Sequence, residues 1–280
     1  MLEFVAKRFV AGQNADQALI NVASLYEDSI LSTLDVLGEN VSSEGDVAQA
    51  ISEYRNLFEK ISNTGFQSSV SIKLTQLGLD LGQEFCQSKL REILEMAAPK
   101  NIFVRIDMES SEYTQRTIDI FLSLRSEFPL LGIVLQAYLH RSLKDAQLMA
   151  SLNAPVRVCK GAYKEPSSVA LQNMEDIRSQ YKKMVELLLV SGTQVALATH
   201  DDELIEWAKS LLKREPLWAQ QLEFQMLYGL RRQKAKELAR MGYRMRAYVP
   251  YGKSWFPYFY RRLRERKENI LFVLKGMVQD

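Results

Sequence analysis

The stretch LQNMEDIRSQYKKMVELLLVSGTQVALATH, residues 171–200, contains the unit from which the fold of this chain follows. Its first part has the pattern of an amphipathic helix and ends at Gly192, a residue type that commonly follows the last helical turn. The run TQVALATH is rich in β-forming residues and finishes on Thr199 and His200. A helix that alternates with a strand in this way is typical of α/β folds.

The same alternation recurs along the chain. Eight β-rich runs leave room for a helix after each: 31–37, 69–76, 101–108, 132–138, 155–161, 193–200, 222–227 and 243–249. Eight such units predict a (β/α)8 barrel, and a doubly wound open sheet is the alternative. We expect residues 1–30 to form an N-terminal helical segment outside a single barrel domain of residues 31–280, with residues 269–276 as a tail.

The composition limits the classes of function. The chain has 280 residues, 47% of them hydrophobic, and a formal net charge of +2. This small net charge does not indicate the strong positive potential that favours nucleic-acid binding. Cys86 and Cys159 are too few for a disulfide framework, and His140 and His200 lie in no zinc motif, so no metal is expected. The sequence has no targeting peptide and no apolar run as long as a membrane span. We therefore expect a cytoplasmic protein, at most peripheral at the inner face of the membrane.

Polar residues end the predicted strands. They are Lys73, Asp107, Gln136, Arg157 with Lys160, Thr199 with His200, Gln225 and Tyr248. Barrel enzymes collect catalytic groups from the carboxyl ends of different strands, so these side chains should meet at one rim. Because Arg157 and Lys160 have opposite parity, one of them should lie in the loop after the strand. The pattern predicts an enzyme site at this rim.

Local motifs narrow the chemistry of that site. The sequence contains no GxG and no GxSxG, so a nucleotide cofactor would have to be held by side chains and barrel loops. Lys73 or Lys160 would form a Schiff base, as in a lyase or aldolase, if burial lowered the pKa of its amine. Asp107 in the same pocket as Lys73 would instead favour the ammonium form and a charge pair.

The segment YVPYGKSWFPYFYRRLRERKEN, residues 248–269, carries a second pattern. Tyr258, Arg261, Arg262 and Glu265 recur at the spacing of one helical face. Two adjacent guanidinium groups beside aromatic residues suit a small anionic ligand, with Glu265 keeping an arginine oriented. Two alternatives stay open: a surface pair of Arg261 with Glu265, and a non-catalytic membrane or nucleic-acid binder built on the late basic helices.

Eight fragments of the sequence occur in an order that is typical of one family. Between residues 70 and 266 they are SIKLTQLG, IDME, VLQAYL, VRVCKGAY, ATHDD, EFQMLYG, AYVPYG and YFYRRLRER, and TLDVLGENV precedes them. Together they resemble the proline dehydrogenase family. The resemblance implies a monofunctional flavoenzyme on a distorted (β/α)8 barrel, with its last helix over the barrel mouth. Such an enzyme oxidises L-proline to Δ1-pyrroline-5-carboxylate, the first step of proline catabolism.

The resemblance also implies roles for individual residues. Lys73, Arg261 and Arg262 would grip the carboxylate of proline, Glu265 would support the arginines, and Tyr258 would pack against the ring and favour proline over hydroxyproline. Further substrate positions would be Tyr163, Leu227 and Tyr248. Noncovalently bound FAD would lie against Met108, Gln136, Arg157, Lys160, Gly161, Ala162, Thr199 and His200. Asp107 and Arg157 would be catalytic, with Arg157 beside flavin N5.

The resemblance implies partners as well. A membrane quinone would accept the electrons, and the basic segments 231–240 and 261–267 would help docking to anionic lipid. The length leaves no room for an aldehyde dehydrogenase or DNA-binding module, so we expect a separate pyrroline-5-carboxylate/glutamate-semialdehyde dehydrogenase to take the product. No nucleic-acid partner is expected.

Overall fold

The strands form a closed parallel barrel. The computed structural model describes residues 9–253, and within them eight strands follow one another around the barrel, with β8 paired to β1. The strands are β1 Leu31–Val36, β2 Ser68–Ile72, β3 Val104–Ile106, β4 Leu131–Gln136, β5 Val156–Cys159, β6 Val195–Ala198, β7 Leu222–Leu227 and β8 Met245–Tyr251.

Helices surround the barrel. The α-helices are α1 Ala15–Glu27, α2 Glu44–Thr64, α3 Gln83–Ala97, α4 Ser111–Arg125, α5 Ser142–Ser151, α6 Met174–Val190, α7 Asp202–Arg214 and α8 Arg232–Arg240. Short 3-10 helices cover Leu74–Leu77, Ala98–Lys100 and Pro216–Gln220. Helix α1 precedes the barrel, and α2 to α8 each connect two consecutive strands.

The observed topology confirms the predicted (β/α)8 barrel. Each of the eight predicted runs overlaps one strand, and the pairing of β1 with β8 shows that the alternative of an open sheet is wrong. The proposed last helix over the mouth and the tail at 269–276 lie outside the described residues. The division into residues 1–30 and 31–280 stays a prediction.

Local sequence signals set the helix ends. Helix α6 begins after Asn173, whose side chain accepts a hydrogen bond from the backbone N–H of Glu175, and acidic residues occupy its first turn. After the helix, Gly192 has a φ of 85°, in the left-handed region that glycine enters without steric cost. The sequence therefore stops this helix where the next strand must start.

Helix α1 is fastened to the last βα unit of the described chain. The hydroxyl of Tyr228 donates to Asn21 Oδ1 at 2.9 Å, and Lys236 of α8 lies 2.8 Å from Asp28 Oδ2. The backbone N–H of Ala11 also donates to the carbonyl of Pro250 at 2.8 Å. These contacts hold the segment before the barrel against the β8 side of the wall.

The interior of the barrel contains charged and amide side chains. Barrel interiors are usually filled by branched apolar residues. Here buried interior positions include Arg105, Arg157, Glu223 and Gln225. Burying such groups is unfavourable unless they are paired, so the interior must be a connected polar network. Across residues 9–253, no helix combines the length and the apolar character needed to cross a bilayer.

Candidate active site

Asp107 is the centre of a polar cluster at the carboxyl ends of the strands. Its Oδ1 accepts a hydrogen bond from Arg157 Nη1 at 2.7 Å, and its Oδ2 accepts one from the Tyr248 hydroxyl at 2.6 Å. Lys73 Nζ lies 3.9 Å from the same Oδ2. Asp107 directly follows β3, Lys73 directly follows β2, and the other two groups lie on β5 and β8. Closure of the barrel therefore brings groups from three distant chain segments to the carboxylate of a fourth.

A fully buried carboxylate holds Lys73. Asp35 on β1 has no exposed surface, and its Oδ1 lies 2.8 Å from Lys73 Nζ. Burial alone would lower the pKa of Lys73, but the negative charges of Asp35 and Asp107 outweigh burial and raise that pKa above its ordinary value. Lys73 is an ammonium group at neutral pH, as the charge-pair interpretation predicted. A Schiff-base mechanism through Lys73 would require the opposite shift.

Arg157 is fixed from several sides. Its Nε donates to Gln225 Oε1 at 2.6 Å, its Nη1 donates to Ser71 Oγ at 3.1 Å as well as to Asp107, and its guanidinium carbon lies 5.1 Å from the centre of the Tyr248 ring. Its Nη2 is buried and has no hydrogen-bond partner among the described residues. A rigid cation with a spare buried donor is suited to bind an acceptor on a ligand.

Gln136 supplies a second unused group. This last residue of β4 is buried, and its amide nitrogen donates to the carbonyls of Met108 at 3.0 Å and Glu109 at 2.7 Å. Its Oε1 is buried without a partner in the part of the chain that the structure describes. The site thus offers a buried donor on Arg157 and a buried acceptor on Gln136, both held by short contacts to the protein.

Lys160 lies in the loop after β5, whereas Arg157 lies within the strand. This confirms the parity argument that one of the two must leave the strand. Lys160 Nζ and Arg178 Nε each lie 2.8 Å from Asp201 Oδ2. Burial alone would raise the pKa of Asp201, but the hydrogen bonds and charges of Arg178 and Lys160 outweigh it and lower that pKa to about 2. The carboxyl group of Asp201 is therefore ionised across the neutral range.

Gly161 permits a close approach that no other residue type would allow. It has a φ of 112°, and a Cβ added there would lie 2.1 Å from Cδ1 of the Tyr138 ring. Ala162 and Tyr163 follow in the same partly exposed loop. The absence of a side chain at Gly161 lets the loop lie directly on that aromatic ring.

The ends of β6 and β7 are joined through His200. The backbone N–H of Leu227 donates to His200 Nε2 at 3.0 Å, so this ring nitrogen acts as the acceptor. Thr199 Oγ1 accepts from the backbone N–H of Asp201 at 3.0 Å, and Arg231 Nη1 donates to the carbonyl of His200 at 2.6 Å. These bonds fix the loop after β6 beside Leu227.

Four of the predicted substrate residues, Tyr258, Arg261, Arg262 and Glu265, lie outside the described residues. The other predicted positions fall at or near the carboxyl ends of the strands. Those whose side chains share direct contacts in the cluster around Asp107 are Lys73, Arg157 and Tyr248. Their roles toward substrate and cofactor stay predictions.

Sequence reasoning missed Asp35, Ser71 and Glu223. The sequence did contain a feature that points to Asp35: it is a carboxylate inside the apolar run LSTLDVL, and a carboxylate buried there needs a counter-ion. Ser71 and Glu223 carry no comparable local signal. Each is a polar residue in a strand, a pattern that also fits a solvated face.

Comparison with known proteins identifies the family. A family model described as "Proline dehydrogenase" matches residues 18–275. The chain belongs to the proline dehydrogenase family. "Proline dehydrogenase 1" of Bacillus subtilis (strain 168) is 42% identical over 274 residues, which cover 98% of this chain and 91% of that protein. "Proline dehydrogenase" of Deinococcus radiodurans is 36% identical over 280 residues, covering 98% of this chain and 90% of its own length.

Members of the proline dehydrogenase family oxidise proline in proline catabolism, and the family is generally flavin-dependent. This chain is accordingly an oxidoreductase of that class. The predicted resemblance to the family is therefore confirmed.

Solved structures with the same barrel are longer proteins. Proline utilization A (PutA) from Bdellovibrio bacteriovorus, inactivated by N-propargylglycine, superposes with a TM-score of 0.87 at 25% identity, over 95% of this chain and 33% of that one. A PutA mutant from Bradyrhizobium japonicum has a TM-score of 0.80 at 18% identity, over 96% of this chain and 32% of its own. The chain spans about a third of these PutA proteins.

Proposed function

We propose that this chain oxidises L-proline to Δ1-pyrroline-5-carboxylate with noncovalently bound FAD as hydride acceptor and a quinone as the final electron acceptor. The observation that carries the proposal is Arg157, a buried cation at the barrel mouth whose Nη2 has no partner among the described residues. Family membership supplies the substrate class.

The described residues fit a flavin. The isoalloxazine ring presents hydrogen-bond acceptors and an N–H group along one edge, and the site offers the spare donor of Arg157 and the spare acceptor of Gln136. Gly161 removes side-chain bulk from the loop after β5. We propose that these residues hold FAD together with Met108, Lys160, Ala162, Thr199 and His200. FAD held by these residues would supply the acceptor, at its N5 atom, for the hydride that leaves C5 of proline.

Arg157 would supply electrostatic stabilisation. A cation fixed in advance, such as this guanidinium, would stabilise without reorganisation the negative charge that a hydride acceptor gains. Asp107, Ser71 and Gln225 hold the guanidinium in place through its Nε and Nη1 atoms. We therefore propose that Asp107 positions Arg157 and the Tyr248 hydroxyl, and that the amine proton of proline passes either to Asp107 or to solvent.

The substrate would be held by its carboxylate. Lys73 is kept as an ammonium group by Asp35, which suits it to bind an anion at the mouth of the barrel. From the sequence pattern we add the guanidinium groups of Arg261 and Arg262 as further donors to the proline carboxylate, with Glu265 orienting them. We propose that Tyr163, Leu227, Tyr248 and Tyr258 surround the ring of proline. Fixing C5 against the cofactor contributes through positioning, which at its upper limit is about 7–11 kcal/mol.

An absorbance scan of the purified protein tests this function. We expect the absorption bands of oxidised flavin in the near-ultraviolet and visible to be present. They should bleach when L-proline is added in the absence of oxygen. D-proline serves as the control and should leave the bands unchanged. A colourless protein that does not bind added FAD would contradict the proposal. Trapping of a carbonyl substrate by borohydride at Lys160 would support the Schiff-base alternative instead.

Electron transfer to a quinone implies contact with a membrane. Arg231, just before α8, pairs with Asp202, and Lys236 of α8 pairs with Asp28. These pairs reduce the positive charge that this helix and its first residues offer to lipid. We therefore assign most of the proposed docking to the basic segment 261–267. Binding to anionic vesicles should weaken with added salt and with charge reversal in this segment. Binding that neither change weakens would contradict the proposed docking surface.

We further propose that a separate dehydrogenase takes the product.

A further inference from the structure

Two residues on β7, Glu223 and Gln225, connect Arg157 of β5 to Arg246 of β8 inside the barrel. Glu223 and Gln225 are two positions apart, so both side chains lie on the same side of the strand. Both are buried, and Gln225 Nε2 donates to Glu223 Oε1 at 2.7 Å. On its other side, Gln225 Oε1 accepts from Arg157 Nε at 2.6 Å. One amide thus joins a buried anion to the proposed catalytic cation.

Glu223 is held as a carboxylate by Arg246 of β8. Arg246 Nε donates to Oε1 at 2.7 Å, Arg246 Nη2 donates to Oε2 at 3.0 Å, and Nη1 of the same guanidinium donates to the carbonyl of Ser32 at 2.7 Å. Burial alone would raise the pKa of Glu223, but the charge and hydrogen bonds of Arg246 outweigh burial and keep that pKa below its usual value. At neutral pH the group can only accept hydrogen bonds.

An acceptor-only neighbour determines which way the Gln225 amide faces. Its NH2 group must point to Glu223, and its carbonyl oxygen then points to Arg157. The flipped amide would place N–H against the guanidinium N–H groups and oxygen against the carboxylate, which loses both bonds and adds two repulsive contacts. The donor-only Arg157 at one end of the amide and the acceptor-only Glu223 at the other favour the same orientation, and the carboxylate of Glu223 reinforces it.

We propose that Glu223 is a positioning residue for the oxidation of proline: its carboxylate fixes the Gln225 amide, which holds Arg157 with Nη2 directed to the cofactor. The inference rests on the proposed function, in which Arg157 serves the flavin. Arg157 Nε is occupied by Gln225 and Nη1 by Ser71 and Asp107, so Nη2 is the donor that remains for a ligand. Without the correct amide, Nε would lose its acceptor and the guanidinium could rotate.

Glu223→Gln tests the proposal, because it preserves size while allowing the residue to donate as well as accept. We expect kcat and the rate of anaerobic flavin bleaching by proline to fall about tenfold to a hundredfold, by analogy with the loss of a partner that orients a metal ligand. The midpoint potential of the bound flavin should become more negative, because the cation near it is less well fixed. The KM for proline should stay within about twofold, because Glu223 pairs with Gln225 and Arg246, whereas Lys73 pairs with Asp35 and Asp107.

Gln225→Met and the double variant test whether the two residues act in series. Gln225→Met removes both bonds of the amide, so it should reproduce the fall in kcat and the shift in potential. If the residues act in series, the double variant should be no worse than the more affected single variant. If Glu223→Gln does not fold, the kcat and flavin potential of Gln225→Met still test whether the amide of residue 225 holds Arg157 in place.

Tyr54→Phe is the matched control for a purely structural effect. It removes a buried hydrogen bond from the Tyr54 hydroxyl to Gln76 Oε1 at 2.7 Å, and these two side chains are bonded to each other and to the carbonyl of Val36 rather than to the Arg246–Glu223–Gln225 chain. We expect it to lower the melting temperature and leave kcat and the flavin potential unchanged. Wild-type potential and bleaching rate in Glu223→Gln, or in Gln225→Met, would overturn the inference. A wild-type protein that proline does not bleach would instead overturn the proposed function.

Discussion

Lys73→Met is expected to lower the free energy of unfolding by about 3–5 kcal/mol and to raise the KM for proline more than tenfold. The loss of stability follows because Asp35 is fully buried and would lose its counter-ion, and breaking a buried ion pair costs about this much. The rise in KM follows because the ammonium group is proposed to bind the carboxylate of the substrate. Chemical denaturation and steady-state kinetics measure the two effects separately.

Three further variants help to separate the effect on stability from the effect on substrate binding. Lys89→Met removes a partly exposed pair with Glu92, whose atoms lie 3.4 Å apart, so it should cost at most about 1 kcal/mol and leave KM unchanged. Asp35→Asn combined with Lys73→Met should recover much of the stability while KM stays raised. Arg262→Met should raise KM in the same way. If Lys73→Met leaves KM unchanged, Lys73 does not bind the substrate.

Arg157→Met is expected to lower kcat by about a hundredfold to a thousandfold, the range observed when one preorganised donor is removed from a site of charge development. It should also weaken FAD binding, because the spare Nη2 donor is lost. The substitution leaves Asp107 beside Lys73 and the Tyr248 hydroxyl, so the carboxylate keeps partners and the protein should still fold. Stopped-flow bleaching by proline and titration of the apoprotein with FAD measure the two losses.

Arg157→Lys is the control for charge without the forked geometry. A lysine keeps the positive charge but cannot donate to Gln225, Ser71 and Asp107 together in one plane. We expect an intermediate kcat and a flavin potential closer to that of the wild type than Arg157→Met gives. A kcat within about threefold of wild type in Arg157→Met would mean that Arg157 does not stabilise the reaction.

The charged interior gives this barrel its chemical capacity. Most barrel interiors gain stability by packing apolar layers, whereas this one links Arg246, Glu223, Gln225, Arg157 and Asp107 by hydrogen bonds. Each of these five side chains has a hydrogen-bond partner in the network, which holds it in one arrangement, and Arg157 Nη2 is the donor left over for a ligand. The arrangement places a fixed cation at the mouth, where charge develops.

The sequence by itself determined the eight strands, their order and the polar residues at their ends. These features are local, because β-rich runs, helix caps and Gly192 act on neighbouring residues. The convergence of Lys73, Asp107 and Arg157 followed from one rule, that parallel barrel strands share a carboxyl rim. Family membership followed from eight fragments in order, including the segment with Arg261 and Arg262 that lies outside the described residues.

The tertiary structure alone decided which of these groups are paired. Asp35 binds Lys73 across 38 residues, and the Tyr248 hydroxyl binds Asp107 across 141 residues. The pairing of Glu223 with Arg246, which turns the Gln225 amide toward Arg157, depends on the register of β7 against β8. Register is set by how the whole sheet closes, and a shift of one residue would turn each of these side chains to the other face. No local pattern contains that information.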